Sequence, residues 1–101
     1  MSSVHVLRWS GADPPTEAEL VGQLVAVGLA PTGWGNSPGD RYDRHSHDYT
    51  KILYCVSGSI VFHTDQGDVE LGRGDRLEIA AGTPHAASVG PNGVRCVEAR
   101  G

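Results

Sequence analysis

The sequence predicts an all-β chain, a sandwich or barrel, with a single helix near the N-terminus. Two observations carry this. Fourteen of 101 residues are glycine and 6 are proline, more turn formers than a helical bundle needs. From Pro31 onward, strand-like runs such as Lys51 to Val56, Ser59 to Thr64 and Val94 to Ala99 alternate with turn signals. Those signals include Ser57-Gly58, Asp65-Gln66-Gly67-Asp68, Gly72-Arg73-Gly74-Asp75 and Gly90-Pro91-Asn92-Gly93. Short strands between frequent turns fit a β-sandwich or barrel.

The elements follow in order. Val4 to Trp9 is rich in β-branched and aromatic residues and reads as a strand. Asp13-Pro14-Pro15 interrupts it. Thr16-Glu17-Ala18-Glu19 matches a capping box. Leu20, Leu24 and Val27 follow at helical spacing, widened by Val21 and Val25, so the helix is expected over Thr16 to Leu29. Gly28 and Pro31 bracket its end. Its apolar face should lie on a sheet, with the helix packed outside the barrel.

Charge and length narrow the partners. Net charge is −4, with 8 basic against 12 acidic residues. No basic run suggests a nucleic-acid surface. No apolar stretch approaches the roughly 18 residues that a membrane helix requires. The first ten residues lack a continuous apolar region, so no signal peptide is expected and the cytoplasm is the default. Cys55 and Cys96 lie in apolar runs and read as two buried thiols, a disulfide being the alternative if their strands are neighbours.

Three histidines stand where chemistry is plausible on spacing. His45 and His47 are two apart, which on a strand puts both imidazoles on one face. His85 follows a Gly-Thr-Pro turn and opens another apolar run. Three imidazoles can hold one metal ion and leave coordination positions open. A His-x-His pair on an exposed edge strand, by contrast, needs no metal.

The surrounding pattern resembles the two cupin motifs. Gly39 is followed by five residues, His45-Ser46-His47, three residues, Lys51, six residues and Gly58. That is the spacing of the first motif. Gly74-Asp75, an apolar run and Ala80-Ala81-Gly82-Thr83-Pro84-His85 resemble the second. The chain departs from the pattern at Lys51, where the family usually has a glutamate ligand. It departs again at Ala80, for the first proline, and at Val89, where asparagine often stands. The resemblance implies a double-stranded β-helix, or jelly-roll, barrel in one domain over 1–101. Residues 1–38 would form the lead-in, 39–89 the motifs and 90–101 the last strand.

The resemblance further implies one divalent transition metal, or none, held by His45, His47 and His85. The donor set does not separate zinc, nickel, iron, manganese and copper. Lys51 and Tyr49 would stand near the open positions. For Lys51 the alternatives are a pair with Glu98, a contact to a ligand carboxylate, replacement of the metal by a cationic pocket, a neutral amine, or snorkelling to the mouth. The expected function is binding or turnover of a small acidic or phenolic molecule. The alternatives are a metal-free cupin for an anion or sugar-like ligand, and a regulatory module. A homodimer is expected because barrel edges need cover, with the N-terminal strand as the pairing element. His63 alternates with Ile60 and Phe62 and should face outward. Trp9 and Trp34 read as packing residues.

Overall fold

The computed structural model describes residues 3–101. It consists of β1 (Val4–Leu7), α1 (Glu17–Ala26), β2 (Thr32–Asn36), β3 (Arg41–His45), β4 (Lys51–Thr64), β5 (Gly67–Leu71), β6 (Arg76–Ile79) and β7 (His85–Arg100). All strand pairings are antiparallel, in the order β1-β6-β4-β7-β2, with β3 also on β7 and β5 also on β4. The expected all-β barrel with one helix outside it is what the chain forms.

The two long strands differ from the sequence reading. Ser57-Gly58 and Gly90–Gly93 were expected to be turns, yet the β4–β7 ladder runs through both. Each is a register shift: Cys55 faces Cys96, Gly58 faces Val94, and Ile60 faces Val89. Gly58 and Gly93 adopt φ of 73° and 75°, which bends the strands without ending them. The bend divides the sheet into two walls. One is β1-β6, the first half of β4, the second half of β7, and β2. The other is β5, the second half of β4, the first half of β7, and β3.

The shifts also exchange the inward parity. On β4, Leu53 and Cys55 are buried in the main core, then Ile60 and Phe62. On β7, Ala87 and Val89 point inward, then Val94 and Cys96. Odd positions give way to even ones at both corners, so the same interior is lined on each side of the bend. Cys55 and Cys96 are free, fully buried thiols facing each other. The hydrogen bond with Cys55 and burial together push the Cys96 thiol up.

The outward residues of the first wall carry the helix. Leu20 and Leu24 bury against Ile52, Val97 and Ala99, with Val21 and Leu29 at the margin. The capping box forms: the Thr16 hydroxyl accepts from the Glu19 amide at 3.2 Å, and the Glu19 carboxylate accepts from the Thr16 amide at 3.1 Å. The helix stops at Ala26, short of the expected Leu29, with Val27 as its C-cap. Val25 and Val27 are 56% and 72% exposed, because the apolar face needs only one stripe to cover a narrow strand pair. The first strand is also shorter than expected and ends at Leu7. Beyond it Asp75 holds the chain, accepting from the Trp9 amide at 2.9 Å and from Arg8 at 3.0 Å.

The corner brings two backbones into close approach. A Cβ built on Gly58 would collide with the Gly93 carbonyl, whereas one on Gly39, at φ 77°, would meet nothing within 4 Å. Gly39→Ala is therefore expected to cost about 1–2 kcal/mol, the left-handed penalty alone. Gly58→Ala should cost roughly 3 kcal/mol or more, since overpacking adds to it. Urea denaturation of both variants checks the difference.

Candidate metal centre

Three imidazoles converge at one end of the barrel. His45 ends β3, His85 begins β7, and the two are register partners. His47 lies two residues past the end of β3, so its approach to His45 comes from the exit of the strand rather than from strand parity. One ring nitrogen from each histidine lies within 4.8 Å of the others. Ring centroids are 4.8 Å apart for His45 and His47, 4.5 Å for His45 and His85, and 5.3 Å for His47 and His85.

Backbone carbonyls orient two of the rings. His45 Nδ1 lies 2.6 Å from the Asp43 carbonyl oxygen and His85 Nδ1 lies 2.9 Å from that of Thr83. A carbonyl only accepts, so in each ring Nδ1 carries the proton and Nε2 presents a lone pair. Nε2 of His47 and of His85 is buried with no partner among the described residues. Buried polar atoms are nearly always satisfied. Two orphaned imidazole nitrogens, beside a third ring tied at Nδ1, form a donor set that fits a transition metal.

The imidazoles line a cavity of about 220 Å³ between the two walls. Tyr42, Phe62, Ile60 and Ala87 share their side of it. The facing wall contributes Lys51, Glu98 and Trp34. Lys51 Nζ stands 3.5 Å from Glu98 Oε1, with the two side chains only 12% and 20% exposed. The same ammonium lies 5.7 Å from the centre of the Trp34 ring. Lys51 shares the inward parity of Leu53 and Cys55, and Glu98 that of Val94 and Cys96.

Tyr49 occupies a different place. Its ring stacks on His47 at 4.8 Å and 29°, with the Arg100 guanidinium 4.1 Å above it. It backs the His47 imidazole and is not part of the cavity wall. His63 sits on the other side of the sheet, where Asp68 and Ser88 each lie 2.8 Å from one of its ring nitrogens.

Two cavity residues were not found from sequence. Tyr42 differs in parity from His45, and a register shift between them turns both inward. Trp34 faces Cys96 across β2 and β7, a partner no spacing rule could supply. Its indole nitrogen is buried without a partner among the described residues.

The family model described as "Cupin domain" matches residues 36–97. The chain belongs to the cupin family. Over 49 residues it is 39% identical to quercetin 2,3-dioxygenase of Bacillus subtilis (strain 168), 48% of this chain but 14% of that protein. The cupin thus spans about one seventh of that relative's length. The polyketide cyclase RemF from Streptomyces resistomycificus is 29% identical, at a TM-score of 0.64 over 71% of this chain and 54% of that one. A cupin superfamily protein from Desulfitobacterium hafniense DCB-2 superposes over 96% of this cupin and 75% of its own length, at a TM-score of 0.64 and 13% identity. Among the described residues no helix is long and apolar enough to cross a membrane.

Burial, then the nearby Lys51 and His45, pulls the His47 imidazole below its ordinary 6.5. Burial also lowers His85, against the raising effect of its bond to Thr83. Both rings are therefore neutral, as ligands must be, at neutral pH. The unfolded chain takes up protons near 6.5 that the folded rings refuse. Stability of the metal-free protein should accordingly fall as pH drops from about 6.5 through the lowered values. Denaturation midpoints across that window check this, and the slope should be shallower for His85→Gln.

Proposed function

We propose that this cupin holds one divalent transition metal at His45, His47 and His85 and uses the adjoining cavity for a small acidic or phenolic molecule. The observation that supports this is the convergence of three imidazoles, two of them fixed by carbonyls with Nε2 facing the shared space. When bound, the ion supplies Lewis-acid polarisation of a ligand oxygen and, if redox-active, a route to oxygen-dependent chemistry. The chain's own residues do the rest. The Asp43 and Thr83 carbonyls hold the tautomers of His45 and His85. Tyr49 limits rotation of the His47 ring by stacking on it. Phe62, Ile60 and Ala87 provide an apolar floor that keeps water away. Lys51 places positive charge on the wall facing the imidazoles, and Glu98 holds that charge in position.

One observation favours a second reading, a metal-free site for an anion or sugar-like ligand. Lys51 stands where the resembling motif has its carboxylate, and an ammonium in a low-dielectric cavity repels a dication. Metal analysis of protein purified without a nickel column separates the two readings. Near-stoichiometric metal supports the first, and none before or after dialysis against zinc supports the second.

The histidine roles are tested in the same way. His45→Ala and His85→Ala should each abolish most metal uptake, whereas His63→Ala, on the outer face, should leave it unchanged. Equal losses from all three would show that the ligands are assigned wrongly.

Lys51→Glu should tighten metal binding, on the order of 1 kcal/mol or more, because it supplies a carboxylate and reverses a charge in a poorly solvated place. Calorimetric titration with zinc reads this directly. Affinity no better than the parent's would remove Lys51 from the electrostatics of the centre.

A further inference from the structure

The wall opposite the histidines carries an indole N–H that no partner among the described residues satisfies. Trp34 Nε1–H is buried without an acceptor, on a residue that lines the cavity. An indole nitrogen can only donate, so its missing partner must be an acceptor. Lys51 lies close by, its Nζ 5.7 Å from the indole ring centre. Its contact with Glu98 is 3.5 Å, longer than the 2.7–2.9 Å of a tight charge-assisted bond. An ammonium has three donors, and that contact engages at most one of them.

We propose that Trp34 Nε1–H and Lys51 Nζ form an anion-binding subsite facing the imidazoles, and that it takes the carboxylate of a one-ring or short-chain acid. The positive charge of Lys51 favours an anionic oxygen over a neutral hydroxyl. The apolar surface of Phe62 and Ile60, on the histidines' side of the cavity, takes the body of the ligand. The cavity, about 220 Å³, is smaller than the roughly 300–1,000 Å³ of pockets that hold drug-sized molecules, which sets the limit of about one ring. The proposal deepens the reading of this cavity as a small-molecule site and does not depend on a metal being in it.

Benzoate and benzamide, equal in shape and different in charge, are the probes. In the parent protein, benzoate should move the Trp34 indole N–H resonance and bind at least about tenfold more tightly than benzamide by calorimetry. The resonance is assigned by its loss in Trp34→Phe, since the chain has only 2 tryptophans. Trp34→Phe and Lys51→Met should each weaken benzoate about tenfold and leave benzamide nearly unchanged. Zinc uptake of Trp34→Phe should equal the parent's, because the three imidazoles are untouched. Benzoate that fails to bind at millimolar concentration, or binds Trp34→Phe as well as the parent, overturns the subsite while leaving the zinc result standing. A parent that takes up no zinc but shows the benzoate pattern removes the metal and keeps the subsite. The resonance shift needs no substitution beyond the assignment, so a poorly folded Lys51→Met does not decide the outcome.

Discussion

The barrel depends on the contact between two backbones where β4 and β7 bend together. There, Gly58 packs against the carbonyl of Gly93 too closely for any side chain. The positive φ of both residues turns the sheet back over itself, and the accompanying register shifts change which residues face inward. Without the shifts, a strand that buries Leu53 and Cys55 would turn Ile60 and Phe62 toward solvent. With them, one pair of strands lines both walls, and the apolar interior closes with few breaks in the ladder. About 25 cal/mol for each Å² of apolar surface removed from water then favours the bent form.

The same bend organises charge. The imidazoles come from β3, its exit and the start of β7, while Lys51, Glu98 and Trp34 come from the facing wall. Positive and negative groups that lie far apart in sequence thereby meet across a gap of poor solvation. Such groups are costly unless paired. The Lys51–Glu98 contact supplies that pairing on one side, and neutral rings meet the requirement on the other.

Much of this was legible in the sequence, and the reasons for the rest are specific. The Thr16 capping box is a local device, with every partner within three residues, so spacing alone reveals it. The two histidine motifs fix the family because each is confined to one stretch of chain. The inward place of Glu98 follows from simple alternation with Val94 and Cys96. The corners were mistaken for turns because glycine and proline mark both, and only strand pairing distinguishes a bend from an end. Tyr42 was missed for a related reason, since a shift in β3 alters its parity with respect to His45. Trp34 depends on a cross-strand partner more than sixty residues away. The exposure of Val25 and Val27 reflects the narrow strip of sheet available beneath the helix.

The position of β2 ties its stability to whatever occupies the cavity. It closes one end of the strand order and, among the described residues, forms its ladder with β7 alone, while Asn36 also accepts from the Tyr42 hydroxyl of β3. Helix α1 does not pair with it but grips the adjacent strand, through the bidentate contact of Glu17 with Arg95 at 2.9 and 3.0 Å. A strand bonded on one side separates from its sheet at a lower free energy than one held on both. The strand that bears the indole is therefore, with β1, β3 and β5, one of those that a single neighbouring strand holds among the described residues. A guest bonded to the indole would hold β2 from a second direction and so raise the free energy of its separation from the sheet.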